Sequence, residues 1–271
     1  MSTATLAGPD QRFYPVRDSM TMLRRNLRHM LRYPSMTIML VGMPVVFLLL
    51  FVYVFGGTLG AGLGGAGGGR AEYANFVAPT ILLMTITATV QGTAISVAMD
   101  LTEGVIARFR TMHIARVSVL TGHVLGSVLQ ALFGLVVVTG VALLVGFRPA
   151  ADFGSWLAAI GFLVVVALAL VWLCVALGQV SKSVESASNT PMPLLLLPFL
   201  GSGFVPTDSM PAGLRWFAEY QPFSPIINTL RGLLLDEPLG NNWWLALGWC
   251  AVMGLGGYFW SKKLFNREYS H

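Results

Sequence analysis

The sequence predicts an all-α membrane protein, and three observations carry that expectation. Hydrophobic residues occupy 55% of the 271 positions and charged residues 11%, against about 25% charged in a typical soluble domain, and mean hydropathy is +0.70. Apolar runs of about twenty residues, the length that crosses a hydrocarbon core about 30 Å thick, recur along the whole chain. The cations between those runs fall mainly on alternate sides, as in a chain threaded back and forth through a bilayer. Six spans follow, at 37–55, 76–99, 117–147, 153–181, 186–204 and 243–261. They leave a cytoplasmic lead-in over 1–36, a six-span domain over 37–261 and a short basic tail over 262–271, with no room for a sizeable soluble domain.

Orientation follows from the positive charges. With the N-terminus in the cytoplasm, Arg12, Arg17, Arg24, Arg25, Arg28 and Arg32 lie inside, together with Arg108, Arg110, Arg116, Lys182, Lys262, Lys263 and Arg267. Arg70, Arg148, Arg215 and Arg231 lie outside, so the split is 13 to 4 and both ends are expected in the cytoplasm. The net charge of +5 is this inside-positive bias and calls for no nucleic acid. Cys174 and Cys250 fall within expected spans and read as small buried apolar residues. The first apolar run starts near residue 36 behind a basic segment, unlike a cleavable signal peptide.

Residues 1–18 are polar and irregular. Over 19–33, Met20, Leu23, Leu27, Met30 and Leu31 gather on one helical face and Arg24, Arg25, Arg28 and Arg32 on the other. Asp18 or Ser19 caps the start and Pro34 stops the helix. Such a helix lies in the headgroup plane with its arginines near anionic lipid, or also braces a cytoplasmic partner. The first span ends at Gly56, where dense glycine predicts a flexible external loop. It has no GKS or GKT ending, and no other stretch offers a phosphate-binding loop for nucleotide hydrolysis.

The second span is rich in hydroxyls and amides, with Thr80, Thr87 and Gln91 on one side and Thr85, Thr89, Thr93 and Ser96 on a neighbouring one. Polar side chains in a span bond to other helices or line a wet path, and both readings stand for Thr80, Thr87 and Gln91. The charged stretch 100–116, DLTEGVIARFRTMHIAR, then interrupts the apolar pattern. Five charged side chains and a histidine in seventeen positions keep it in water, because hydrocarbon rejects each charge at about 2.5–3.5 kcal/mol on insertion scales. On a helical wheel Leu101, Val105, Phe109 and Met112 form one stripe, with Glu103 and Arg110 opposite. This is either a solvated helical loop or a short cytoplasmic helix whose stripe docks into a partner.

The third span carries His123, Gln130 and a Gly122–Gly126 pair spaced for close helix approach; a lone histidine near the membrane surface reads as interfacial. The fourth runs to Gln179 and returns through a loop with Lys182 and Glu185. Pro191, Pro193 and Pro198 mark the fifth as bent. Residues 205–239 form the longest external segment and include a short apolar helix over 226–235 that contains Arg231. It is too short to cross, so half-buried or re-entrant helices are expected.

An intramembrane enzyme is disfavoured: the sequence has no HExxH, no GxSxG, no buried acidic pair and no metal-ligand cluster, and therefore no catalytic residue to name. An ion-coupled secondary transporter would place an Asp or Glu at midplane, where this chain offers hydroxyls and amides.

The layout resembles an ABC-2 type transporter permease, and within that group the daunorubicin-resistance membrane subunits. The residues that carry the likeness are the EG…RFRT…IAR pattern within 100–116 and GSGFVPTDSMPAGLRWFAEYQPFSPIINTLRGLL over 201–235. Relatives usually show a leucine–proline pair where this chain has Met112 and His113. The resemblance implies a half-transporter of the bacterial cytoplasmic membrane that dimerises and recruits a separate ATPase subunit, which binds the ATP and Mg; no cofactor is expected in this chain. It implies that 100–116 is the coupling helix, with Leu101, Glu103, Val105, Arg108, Phe109, Arg110 and Met112 at the ATPase interface, and that 205–235 is an extracellular re-entrant region. The polar but uncharged second span and the aromatic content suit a hydrophobic or amphiphilic, drug-like cargo, with export of a glycan or lipid as the alternative.

Overall fold

The computed structural model describes residues 34–62, 69–102 and 116–267. Ten α-helices are found there. In chain order they are α1 (Pro34–Leu50), α2 (Gly56–Ala61), α3 (Arg70–Thr102), α4 (Arg116–Val145), α5 (Phe153–Val180), α6 (Val184–Asn189), α7 (Met192–Leu196), α8 (Ala212–Tyr220), α9 (Phe223–Leu235) and α10 (Asn242–Arg267). A π-helical turn over Phe51–Phe55 joins α1 to α2, and single 3-10 turns lie at Leu197–Leu200 and Thr207–Ser209. Among the described residues there is no strand.

The hub is α3. At 33 residues it is about 50 Å long, and α1, α4, α5, α6, α7 and α9 all pack against it. The apolar window of α3 is 78% buried, against 28%, 33% and 56% for the windows of the first, third and fourth spanning helices. The other spans therefore present a face outward while α3 is enclosed. Small and hydroxyl side chains permit this: Ala74, Ala78, Thr80, Thr85, Thr89, Gly92, Thr93 and Ala94 are all buried, and neighbours approach closely where side chains are short.

Glycine sets two of these approaches. A Cβ on Gly178 of α5 would lie 2.6 Å from the carbonyl oxygen of Ala94 on α3, and one on Gly257 of α10 would lie 2.6 Å from the amide nitrogen of Leu173 on α5. Both partners are backbone and cannot rotate away. Gly178→Val is expected to wedge α5 off α3 and destabilise the fold by about 1–3 kcal/mol or more. Thermal unfolding in detergent measures it, with Gly161→Val, whose Cβ meets open space, as the neutral control.

Among the described residues, four helices are long and apolar enough to cross a membrane, Val41–Ala61, Arg70–Thr102, Gly122–Val145 and Phe153–Val180. At 26 residues α10 also has the length, with Trp243, Trp244, Trp249 and Trp260 and four glycines diluting its apolar character. The expected fifth span needs correction. Over 186–204 the chain is not one helix but α6, α7 and a 3-10 turn, because Pro191, Pro193 and Pro198 each withhold a backbone donor and clash with the preceding turn. The glycine stretch after the first span is also partly helical, since α2 continues α1 through the π turn. Its glycines sit where α2 meets the start of α3: a Cβ on Gly56 would come 3.3 Å from Arg70, and Gly60 abuts the Gly69 carbonyl. The 19–33 amphipathic helix lies outside the described residues.

Helix ends are satisfied locally. The Asp152 carboxylate accepts the Ser155 amide at 2.7 Å to cap α5, and that bond holds the carboxyl below its usual range. Ser183 caps α6 in the same way. At the end of α9, Asp236 turns left-handed at φ 57°, the Glu237 amide bonds to Gly232, and the Ala150 and Ala151 amides both reach the Leu234 carbonyl.

Candidate functional site

Where a span is broken, its backbone polar groups need partners inside the protein, because lipid offers none. The segment from Gly201 to Phe204 meets that demand through three side chains. The carbonyl of Ser202 accepts from Arg231 Nη2 at 3.1 Å, that of Gly203 from Thr80 Oγ1 at 2.8 Å, and that of Phe204 from Tyr73 Oη at 3.2 Å. The Ser202 amide donates to Ser224 Oγ at 3.0 Å, and the Ser202 hydroxyl donates to Asn228 Oδ1 at 2.9 Å. Gln221 closes the base of the knot, bonding Leu197 O at 3.2 Å and Ser224 Oγ at 3.1 Å through Nε2, while its Oε1 accepts the Phe223 amide at 3.3 Å.

Two helical stripes supply these groups. On α3, Tyr73, Phe76 and Thr80 are spaced i, i+3, i+7; on α9, Ser224, Asn228 and Arg231 are spaced i, i+4, i+7. Each trio projects from one helix face, and the irregular segment lies between them. Gly203 is needed here, since a Cβ would come 2.6 Å from Pro198 O and 2.7 Å from Thr80 Cγ2. Gly201 likewise abuts the side chains of Gln221 and Ser224. An aromatic cluster seals the apolar side: Phe204 stacks on Phe51 at 4.2 Å and on Phe199 at 4.7 Å between centroids, and the π turn at Phe51 aims that ring inward.

Arg231 is the chemically unusual member. It is 9% exposed, donates to Asn228 Oδ1 at 2.9 Å and Phe76 O at 3.2 Å as well as to Ser202, and its guanidinium carbon lies 4.0 Å from the Phe76 ring centroid. Its Nε is buried without a partner. Among the described residues no carboxylate lies within ion-pair range of it. The charge is held by neutral acceptors and a π face, a costly placement that a preformed cage offsets.

At the opposite end of α3 the ties are different. Gln91 Nε2 donates to Ser188 O at 2.7 Å, Thr93 Oγ1 to Ser127 Oγ at 2.6 Å, and His123 Nε2 lies 2.8 Å from Asp100 Oδ2. Nearby, Gln179 Nε2 donates to Ser261 Oγ at 2.9 Å, linking α5 to α10. His123 is therefore not a lone interfacial histidine but one half of a contact across α3 and α4.

Of the residues singled out from the sequence, Thr80 is fully buried in the knot and Thr87 is buried with its hydroxyl on Leu83 O of its own helix. Gln91 is half-buried and reaches Ser188. All three lie on the side of α3 that meets the broken 184–204 stretch. Leu101 is half-buried and packs on the core, whereas Glu103, Val105, Arg108, Phe109, Arg110 and Met112 lie outside the described residues. Tyr73, Arg231 and the Asp100–His123 contact escaped the sequence reading. The polar stripe of Ser224, Asn228 and Arg231, which follows GSGF in sequence, was the available signal for the α9 side alone.

Outside the knot, α8 exposes Leu214, Trp216, Phe217 and Tyr220. Arg215 pairs with Glu219 at 2.7 Å and Asp208 at 2.6 Å, and these contacts, the Glu219 bond foremost, raise its pKa above the ordinary value. The group is exposed, so the pairing adds little stability.

A family model for ABC-2 type transporters matches residues 18–235, a stretch that takes in both the knot and 100–116. The chain is 29% identical over 256 residues to the daunorubicin resistance ABC transporter permease protein DrrB1 of Streptomyces coeruleorubidus, covering 93% of this chain and 87% of that one. It is also 24% identical over 164 residues, 59% of each chain, to a Mycobacterium tuberculosis protein named "Probable doxorubicin resistance ABC transporter permease protein DrrC". With all-α architecture, several apolar helices of spanning length and a family match over most of its residues, the chain belongs to the ABC-2 type transporter family of membrane proteins.

Proposed function

We propose that this chain is the permease subunit of an ATP-driven exporter that moves a hydrophobic or amphiphilic, drug-like compound out of the cell. The observation that carries the proposal is the match over 93% of the chain to a permease named for daunorubicin resistance. ATP and Mg are bound by a separate cytoplasmic ATPase subunit, docked on 100–116. In this reading the chain crosses the bacterial plasma membrane six times with both ends in the cytoplasm. The broken 184–204 stretch serves as the fifth crossing and α10 as the sixth. The knot then lies toward the outer face, with α8 and α9 forming the outer re-entrant unit.

Two copies form the working permease. Six spans in one copy enclose little room for a transport path, and α1, the π turn that follows it and α4 leave Met43, Val46, Tyr53, Val54, Phe133, Val136 and Leu144 exposed, faces to be shared between lipid and the second copy. The test is reconstitution: permease and ATPase subunit in proteoliposomes, with daunorubicin uptake into inverted vesicles read by fluorescence quenching. ATP-dependent uptake is expected. Uptake driven by a proton gradient without ATP would replace this reading with a secondary carrier.

Gln91 is the path-lining candidate best placed to meet cargo, because it is half-exposed whereas Thr80 and Thr87 are enclosed. Gln91→Leu removes its amide at similar size and is expected to alter the apparent KM for daunorubicin severalfold with the dimer intact. A fall in dimer yield or melting temperature at unchanged KM would make Gln91 a packing tie to Ser188.

A further inference from the structure

We infer that α3 is the rod that carries the ATPase stroke to the outer face, and that Tyr73, Thr80 and Arg231 form the joint through which it grips the segment Ser202–Phe204. The inference rests on the reading of the chain as an ATP-coupled permease. Among the described residues, α3 is the helix that runs without a break from the knot to Thr102, inside the charged stretch 100–116. Its threonines divide into two kinds. Thr85, Thr87 and Thr89 and the Ser96 hydroxyl bond to carbonyls four residues back in α3 itself, so they attach α3 to nothing else. Tyr73 and Thr80 instead reach across to Phe204 and Gly203, and Arg231 reaches back to the Phe76 carbonyl on α3 while holding Ser202.

The gripped object is main chain, not side chain. Three successive carbonyls of a segment outside the regular helices are held by α3 and α9 together, so a shift or rotation of α3 acts on the backbone of the outer segment directly. At the other end, Gln91, Thr93 and Asp100 hold α3 to α6 and α4. A displacement applied beyond Thr102 therefore reaches the knot through one enclosed helix. Close-packed neighbours on most of its sides favour movement as a unit over bending.

The test uses the full permease with its ATPase subunit in proteoliposomes, scoring daunorubicin moved per ATP hydrolysed. The double variant Tyr73→Phe/Thr80→Val removes two hydroxyls at nearly constant volume. It is expected to lower that ratio about fivefold or more, the factor that corresponds to losing one net hydrogen bond, with the ATPase subunit still bound. Thr80→Ser, which keeps the hydroxyl, is expected to hold the wild-type ratio, as is Thr85→Val, which removes a hydroxyl bonded within α3. An unchanged ratio in the double variant overturns the joint. So does a change confined to the KM for daunorubicin, which would make Thr80 part of the path, or a loss of ratio that follows loss of melting temperature in Thr85→Val as well. Wild-type permease that neither binds nor stimulates the ATPase would instead fell the permease reading, and the joint with it.

Discussion

Arg231→Leu is expected to lower the stability of the permease by about 1–3 kcal/mol. The substitution strips the Ser202 carbonyl, which lies outside the regular helices, of its donor, and an orphaned buried acceptor costs about 1–3 kcal/mol; the Phe76 carbonyl loses a second donor but stays within the helical ladder of α3. Asn228 Oδ1 loses one partner but keeps the Ser202 hydroxyl. Two effects oppose the loss. Leucine relieves the burial of a charge whose Nε has no partner, and interhelical hydrogen bonds in membranes average about 0.6 kcal/mol because the unfolded chain in lipid also finds partners. The loss wins because Ser202 belongs to an irregular segment with no helical alternative. Arg231→Lys keeps the charge, but a single ammonium cannot serve two carbonyls and an amide spread around a planar fork, so it falls between the two. Thermal unfolding followed by tryptophan fluorescence should rank wild type above lysine above leucine. Leucine at or above wild type would mean that burying the guanidinium costs more than its bonds contribute.

Much of the fold was legible because it depends on features local in sequence. The apolar runs located α3, α4, α5 and α10 to within a few residues at most ends, since a helix of spanning length leaves a contiguous hydrophobic signature. The fifth run shows the limit of that signal. Its leucines read as a span, while three prolines at 191, 193 and 198 divide it; hydropathy counts apolar area and is blind to missing amide donors. The glycines at 56–61 failed in the other direction, appearing loop-like when α1 had already nucleated a helix that could extend through them.

The knot was hidden for a different reason. Tyr73 and Phe204 are 131 residues apart, and Arg231 and Phe76 are 155 apart; no periodicity links such positions. Gly203 falls within the expected fifth span, where hydropathy gives no hint that its role is to let Pro198 and Thr80 approach the backbone. His123 misled because its partner, Asp100, sits on the previous helix and was counted with the charged stretch. Hydroxyls in a span announce that bonds exist without saying with whom. The structure sorts them into Thr85, Thr87 and Thr89, which serve their own helix, and Thr80 and Thr93, which serve others.

Phe109→Ala is expected to abolish drug-stimulated ATP hydrolysis and export while the permease still reaches the membrane. A coupling helix needs an apolar knob for grip and charges for register. Phe109 is the largest apolar side chain on the stripe formed with Leu101, Val105 and Met112. Buried aromatic anchors dominate many interfaces, and truncating one costs about 2 kcal/mol or more, enough to weaken recruitment thirtyfold. Leu101 at the start of the stripe packs on the permease core, so under the proposed docking the grip is assigned to Phe109, farther along the sequence. Under the proposed docking, Glu103, Arg108 and Arg110, its neighbours in sequence, set orientation through charge pairs, each worth less than the anchor where exposed. Arg110→Glu is accordingly expected to weaken recruitment in a salt-sensitive manner, and Phe109→Ala in a salt-insensitive one. Co-purification of the ATPase subunit across a salt series separates the two. If Phe109→Ala recruits and exports as wild type does, the stripe packs against the permease or the membrane surface and the docking of the ATPase must be sought elsewhere on the cytoplasmic face.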